Sequence, residues 1–120
     1  MKDSTRARVA AVVGAAYKGN PVSSVYDYSS KTQRNTSVSI SNGQIIGYDH
    51  MTSSPFSGGA SAGILDFYDH ETKKHVQLKL DGSNFSGYDY NSEKHFFGTI
   101  NGGSISLYDY ETGKHYNFNV

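Results

Sequence analysis

The dipeptide Tyr-Asp recurs along this chain at a nearly constant interval. It stands at 26–27, 48–49, 68–69, 88–89 and 108–109, so the spacing is 22 residues once and 20 residues three times. A fixed period of this length indicates that one supersecondary unit is repeated and that neighbouring units share a buried face. A unit of this size has room for two strands and two tight turns, which predicts a β-hairpin.

Turn-forming residues are found at both ends of the predicted hairpins. Between units they are Asn42-Gly43, Ala62-Gly63, Gly82-Ser83 and Gly102-Gly103. Within units they are Thr52-Ser53, Thr72-Lys73, Ser92-Glu93 and Thr112-Gly113. Asn-Gly and Gly-Gly are favoured in two-residue hairpin turns because both central residues need a positive φ. We therefore expect two-residue turns throughout.

Two-residue turns fix a register in which apolar and polar side chains separate. Successive side chains of a strand point to opposite faces, so a slip of one residue would mix the two sets. Within the last unit this register places Tyr110 opposite His115. Between units it pairs apolar residues only, namely Ile40 with Ile45, Ala60 with Leu65, Leu80 with Phe85, and Ile100 with Ile105.

Glycines interrupt the apolar face in pairs. Gly47 and Gly58 form one pair and Gly87 and Gly98 form another, whereas other strands carry large residues such as Phe67 at the same level. Glycine inside a strand marks a sharp bend or a close approach by another element. The pattern predicts either bends where the sheet coils or bulky side chains that fill the space above the glycines.

Residues 1–20 predict one helix. Ser4 or Thr5 can cap this helix, and Gly19 can end it. Asp3 and the shortness of the apolar run argue against a signal peptide. The apolar residues follow helical spacing and form a single stripe of Val9, Val12, Val13, Ala16 and Tyr17. We expect this stripe to pack on the apolar face of the sheet, where the helix could plug an open barrel end.

These patterns predict an all-β fold and a single domain, 1–120. Residues 22–120 form an antiparallel meander of five hairpin repeats of about 20 residues each. The sheet is expected to be barrel-like or strongly curved, since a flat sheet of this size would leave one face wet. The one N-terminal helix packs on its apolar face.

Composition and charge exclude several classes of function. The chain has 11 basic and 11 acidic residues and no basic stripe, which argues against a nucleic-acid partner. It has no cysteine, and therefore no disulfide or thiolate chemistry. No run approaches the roughly 20 apolar residues of a membrane-spanning helix. The sequence predicts no catalytic residue, metal site or cofactor, and it leaves the compartment open.

An aromatic row is predicted on the outer face of the sheet. Tyrosine offers a large flat surface and a hydroxyl group, which suits contact with a glycan or a protein. Repetition in every unit also suits plain cross-strand packing, worth about 0.2–1 kcal/mol per pair. Phe97 is expected beside Tyr88 on this face. The candidate ligand-contact residues are Tyr48, Tyr68, Tyr88, Tyr108, Tyr110 and His115.

Aspartates and histidines recur at fixed places in the repeat. One step before each turn lies an inward aspartate that can accept hydrogen bonds from turn N–H groups: Asp27, Asp49, Asp69, Asp89 and Asp109. The alternative is an acidic barrel rim that binds a cation. The register places His70 opposite His75 on the outer face. Asp66 is expected to be too distant to complete a metal site there, so a stacked surface pair is favoured.

Two families share features with the repeat. The segment YDYETGK resembles the tyrosine-aspartate repeats of large shell-forming bacterial toxins, whose motif continues Gly-Arg-Leu where this chain has Gly-Lys-His. The 20-residue aromatic period is similar to choline-binding cell-wall repeats, which use tryptophan, and this chain has none. These departures mean that neither resemblance supplies functional residues.

The sequence therefore favours a non-catalytic binding or assembly module with a Tyr/His contact face. One alternative is a small barrel that carries an apolar ligand, with the helix as its lid. The other is a structural protein that forms homo-oligomers through an open sheet edge or an uncovered apolar face.

Overall fold

A computed structural model of the chain describes all residues, 1–120, and contains one helix and eleven strands. Helix α1 is Asp3–Lys18. The strands are β1 Val25–Asp27, β2 Thr32–Arg34, β3 Thr36–Ser41, β4 Gln44–Asp49, β5 Ser54–Ser61, β6 Ile64–Asp69, β7 Lys74–Asp81, β8 Asn84–Asp89, β9 Lys94–Asn101, β10 Ser104–Asp109 and β11 Lys114–Asn119. The predicted all-β meander with an N-terminal helix is confirmed.

The eleven strands form one nearly closed, barrel-like sheet. From β3 to β11 each strand pairs antiparallel with the next, and β1 pairs with both β11 and β2. The two ends of the strand order, β2 and β3, are separated in sequence only by Asn35. Val22 and Val38 also exchange two backbone hydrogen bonds, of 2.9 and 2.8 Å, across the closing point. We call β1, β2 and this bridge the seam.

The register between units is as predicted, whereas the register within units is not. All four predicted apolar pairs between units are present. Within the last unit, however, His115 lies opposite Tyr108 instead of Tyr110. The strands of each hairpin are therefore shifted by two residues from the predicted pairing. Because two is an even number, inward and outward side chains keep their predicted faces.

A four-residue turn in place of a two-residue turn causes this shift. In the last unit the turn spans residues 110–113, and the carboxylate of Asp109 accepts the Glu111 N–H at 2.9 Å. The Gly113 N–H donates to the Asp109 carbonyl at 2.8 Å, with Gly113 at φ 69°. The aspartate side chain thus organises the turn and adds two residues to it. The same turn position has a positive φ in earlier units, at Ser53, Lys73 and Glu93.

Helix α1 runs through the interior of the sheet instead of plugging one end. Every residue from 4 to 15 is buried, so the predicted single stripe accounts for only part of its contact surface. Near its C-terminal end the Lys18 Nζ atom donates to the Val120 carbonyl at 3.0 Å, beside the turns that join the units. Its N-terminal end lies among the within-unit turns at the opposite rim.

The N-terminal cap of α1 differs from the prediction. Lys2 occupies the cap position, with no side-chain cap hydrogen bond. The Ser4 hydroxyl donates to Glu71 at 2.6 Å and the Thr5 hydroxyl to Asp69 at 3.2 Å, so both bind the sheet instead of capping. Gly19 ends the helix as predicted, with φ 70° and its N–H bonded to Ala15.

One apolar cluster joins α1 to the strands. It contains 23 buried residues, contributed by α1 and by inward positions around the sheet. Because the helix is inside, a chain with 36% hydrophobic residues can cover the whole inner face of the sheet. This single helix is too short and too polar to cross a membrane.

The predicted pairing of inner glycines is wrong, because the two-residue shift places Gly47 opposite Phe56 and Gly58 opposite Ile45, but the glycines serve both predicted purposes. A Cβ atom on Gly47 would lie 2.3 Å from the ring of Phe56, its partner on the next strand. This ring therefore covers the glycine, as in the aromatic rescue of glycines in sheets. A Cβ atom on Gly58 would lie only 1.8 Å from the Asp66 carbonyl oxygen, so two backbones approach closely there. Glycine thus permits both the inner aromatic layer and the tight curvature of the sheet.

The adjacent glycines of β5 provide a matched test of this curvature. We expect Gly58→Ala to lower the free energy of unfolding by about 2 kcal/mol or more, because the new methyl group meets backbone atoms that cannot move cheaply. At Gly59 a Cβ atom would meet nothing nearer than 3.7 Å, so Gly59→Ala should stay within about 0.5 kcal/mol of wild type. Urea denaturation measures both values. Equal effects of the two substitutions would contradict the proposed backbone approach.

Candidate functional site

The outer aromatic row consists of repeated tyrosine–histidine contacts. The rings of Tyr88 and His95 meet edge to face at 4.8 Å, as do those of Tyr108 and His115. The corresponding pair of the third unit, Tyr68 with His75, lies at 5.1 Å. Cross-strand packing therefore accounts for the repetition of these residues, in line with the structural explanation given above.

The six candidate contact residues all lie on the outer surface but do not form one patch. Tyr110 is 55% exposed and Tyr48 is 37% exposed, whereas Tyr68, Tyr88 and Tyr108 are half-buried in the row. Tyr48 on β4 and Tyr68 on β6 are separated by β5. The remaining contacts gather Tyr108, Tyr110 and His115 into one cluster.

Phe97 joins this cluster. Its ring lies 5.3 Å from that of Tyr108 and 5.7 Å from that of Tyr110. The expectation that Phe97 lies beside Tyr88 is wrong in register, since Phe97 pairs with Tyr108 on one side and with Ser86 on the other. Ser86 is small, and this leaves a depression between Phe97 and the strand beyond it.

This depression is part of an open groove of about 940 Å³ on the outer face of β6 to β10. Two of the candidate residues, Tyr88 and Tyr110, line it. Sequence analysis placed Phe97 on this face without naming it as a contact residue, and it missed the other side chains that define the groove, which are Ile64, Gln77, Lys94 and His95. Phe97 and Ile64 were detectable in principle, because each is an apolar residue at an outward position. Lys79, Lys94 and Glu93 give the groove a rim of mixed charge.

The inner aspartates form a second conspicuous group, at the rim near the helix N-terminus. All five are buried and between 0 and 3% exposed. Each accepts at least one backbone N–H of the following turn, as predicted; for example, the carboxylate of Asp69 accepts the Glu71 N–H at 2.9 Å. The expectation that these residues organise turns is therefore confirmed.

The cations at this rim belong to the chain itself. The Arg8 guanidinium is fully buried and donates to both carboxylate oxygens of Asp69 at 2.7 Å and to Asp49 at 2.9 Å. Arg6 donates to Asp109 at 3.0 Å. The positive end of the α1 dipole lies at the same rim and favours the same negative charges. The acidic rim is thus an attachment site for the helix.

The histidine arrangement departs from the predicted pairing. His70 lies in a turn and does not face His75, because the within-unit register is shifted by two residues. The same shift brings the His75 Nδ1 atom to 2.9 Å from Asp66 Oδ1, so Asp66 is nearer to His75 than expected, while His70 is absent from this contact. Both side chains are exposed, and the chain contains no group of three or more potential metal ligands.

Comparisons with known proteins return no relative. No family model, curated protein or solved structure matches the chain. The outer groove and the inner aspartate rim are therefore interpreted from their contacts, burial and charge.

The buried ion cluster predicts a large effect of removing Arg8. Arg8→Ala leaves the carboxylates of Asp49 and Asp69 buried without their cation, and loss of one partner of a buried pair costs about 3–5 kcal/mol. Lys18→Ala removes an exposed cation of the same helix and should cost less than about 0.5 kcal/mol. Chemical denaturation of the two variants measures the difference. Similar values would show that the cluster does not secure the helix.

A pH dependence follows from Glu71 in the same cluster. Partial burial by itself raises the pKa of Glu71, but the Ser4 hydrogen bond and the Arg8 charge outweigh it and hold the pKa below its usual 4.5. The stability that Glu71 contributes is therefore present above its unfolded-state pKa and is lost as pH falls through the lower folded-state pKa. We expect the free energy of unfolding of wild type to fall below pH 4.5, and less steeply for Glu71→Gln.

Urea denaturation at a series of pH values from neutral to acidic measures this slope. Glu93→Gln provides the control, because Glu93 is exposed and has no ion-pair partner. It should follow wild type throughout. If the free energy of unfolding falls equally steeply at acidic pH in wild type and in Glu71→Gln, the contacts of Glu71 with Ser4 and Arg8 are contradicted.

Proposed function

We propose that this protein is a non-catalytic binding module and that the outer groove is its contact surface. The observation that carries the proposal is a departure from the repeat. Positions 20 residues apart from Phe97 hold Ser57, Gln77 and Asn117, and those related to Ile64 hold Gln44, Asn84 and Ser104. These two apolar exceptions line the same groove and are 41% and 44% exposed, whereas two further exposed exceptions, Ile46 and Met51, lie outside it.

Repeat-wide packing does not account for these two residues. It requires a residue of the same kind in every unit, as with the tyrosine–histidine pairs, whereas Phe97 and Ile64 replace polar residues on a water-facing surface. Exposed apolar side chains grouped on an otherwise polar surface are typical of an interaction site. Irregular positions are also where repeat proteins carry ligand contacts.

The groove suits a glycan or a protein surface. Tyr88, Phe97 and Tyr110 offer aromatic area for the apolar face of a sugar ring or for a side chain. The amide of Gln77 and the charged groups of Lys94 and Glu93 can hydrogen-bond with hydroxyl, carbonyl or charged groups around that contact.

The two alternative functions have less support. A barrel that carries an apolar ligand under a helical lid needs an open interior, whereas residues 4–15 of α1 fill the interior and Arg8 fixes them there. Oligomerisation through a bare apolar face needs a surface that α1 covers, and oligomerisation through an open edge is left with the short edges of β2 and β3 beside the Val22–Val38 bridge.

The test removes the exposed aromatic groups of the groove and leaves the row intact. We expect the double variant Phe97→Ser plus Tyr110→Ala to lose at least about tenfold in affinity, which corresponds to about 1.4 kcal/mol of contact free energy. A glycan array and a pull-down with identification of the captured protein measure binding and separate the two ligand classes. Light scattering checks self-association of each variant.

Tyr28→Ala is the matched control. Tyr28 follows Tyr26-Asp27 as Tyr110 follows Tyr108-Asp109, and it is 56% exposed against 55%, but it lies outside the groove. It should bind as wild type does. Unchanged binding by the double variant, with its fold intact by circular dichroism, would refute the proposal.

A further inference from the structure

The first repeat is two residues longer than the others, and the extra length falls at the seam. Along the seam, Val25 pairs with Arg34 and Val22 bridges to Val38. One strand thus advances three residues while the other advances four, which makes a β-bulge beside Asn35. Bulges of this kind are frequent at barrel rims and beside binding sites, where they redirect a side chain.

Next to the bulge, a charged side chain occupies an inner position of the hairpin. Arg34 lies across the hairpin from Val25. Val25 precedes Asp27, the aspartate of this unit, by two residues. In the later units this inner position holds Phe56, Val76, Phe96 and Tyr116. Arg34 is 7% exposed, so an arginine is buried where the repeat otherwise buries an aromatic or aliphatic residue.

Arg34 has no counter-charge in the chain. No carboxylate lies within 4.0 Å of its guanidinium, and its buried Nε atom has no hydrogen-bond partner. The Nε atom of the buried Arg8 also has no partner, but the other nitrogens of Arg8 contact three carboxylates. Arginine keeps its charge in proteins, and a buried charge without a partner is strongly unfavourable. The two terminal nitrogens of Arg34 are not among the buried unpartnered atoms and therefore reach water. An oxyanion at these nitrogens would supply the missing counter-charge.

A second unpartnered group lies beside it. Thr36 follows Arg34 by two residues on the same inner face, about 7 Å along the strand direction. Its side chain is fully buried, and its hydroxyl oxygen has no partner. The Thr52 hydroxyl, by comparison, accepts a 2.7 Å hydrogen bond from Arg8. Two buried polar groups near one bulge thus lack partners.

We propose that Arg34 binds one small oxyanion, a carboxylate or a phosphate, which enters at the seam. The planar guanidinium presents paired N–H donors that match two oxygens of either group. The Thr36 hydroxyl supplies a further donor. The small exposed fraction of Arg34 restricts the ligand to a small anion. The site is on the inner face of the seam, so it is independent of the outer groove.

Asp27 is the rival counter-charge. It lies on the same inner face, two residue pairs nearer the turn, opposite Thr32. Its Oδ1 atom accepts the Ser29 N–H at 2.9 Å and the Ser30 N–H at 3.4 Å, which directs the carboxylate toward the turn. A direct ion pair with Arg34 would need this carboxylate to turn inward. The test must therefore separate an external anion from Asp27.

The Nε–Hε resonance of Arg34 in the full chain is the direct readout. Titration with inorganic phosphate and, separately, with acetate is carried out at constant pH and ionic strength. We expect a saturable shift of this resonance with at least one probe. The unfolding midpoint should rise by about 5–10 °C at a hundredfold excess over the dissociation constant. The probe that binds distinguishes phosphate from carboxylate chemistry.

Four variants complete the test. Arg34→Gln and Arg34→Met should abolish the anion-dependent rise of the midpoint, whereas Lys114→Gln, which removes an exposed cation, should retain it. Asp27→Asn should tighten binding, because it removes a nearby negative charge. No saturable shift of the wild-type resonance overturns the proposal, as does a midpoint rise that persists in both Arg34 variants. A shift that appears only in Asp27→Asn also overturns it, because Asp27 is then the counter-charge.

Discussion

The fully buried guanidinium of Arg8, shared between Asp49 and Asp69, is the interaction on which the interior of this barrel depends. Each repeated aspartate accepts backbone N–H groups of its own turn. Because every unit places its aspartate at the same end of the sheet, five buried carboxylates lie at one rim. Such a ring of like charges is unfavourable in a buried setting unless cations meet it. Arg8 and Arg6 supply those cations from the helix. The sheet and the helix therefore stabilise each other.

The shape of the sheet depends on the same arrangement. A helix about 10 Å across can lie inside only if the surrounding strands curve around it and its own side chains are small. Residues 7–16 of α1 are all alanine, valine or glycine apart from Arg8. At Gly14 even a Cβ atom would lie 2.7 Å from the Val120 side chain. Gly58 allows the matching close approach within the sheet.

The sequence predicted the turns whose length follows from backbone conformation alone. It did not predict the turns whose length is changed by a side chain. The turns between units follow from pairs such as Asn42-Gly43, and their register was predicted correctly. The turns within units are longer because Asp109 and its equivalents bind turn N–H groups, which alternation alone does not reveal. The burial of Arg6 and Arg8 was missed because the apolar-stripe pattern assigns arginine to the solvent-facing side of a helix. The groove was missed because the residues that lie side by side across its strands depend on the within-unit register, which is shifted by two residues from the predicted one.

Departures from the repeat are the most informative positions for function. A residue that recurs in every unit, such as the tyrosine of each Tyr-Asp pair, is accounted for by the packing that every unit needs. Phe97 and Ile64 are apolar where the repeat is polar, and both line one outer groove. Arg34 is charged where the repeat is apolar, and it lies inside at the seam. Neither kind of departure improves the barrel itself, since one exposes apolar area to water and the other buries a charge. Their cost to stability is understandable if each is offset by a bound partner, and the two sites can be tested separately because they lie on opposite faces of the sheet.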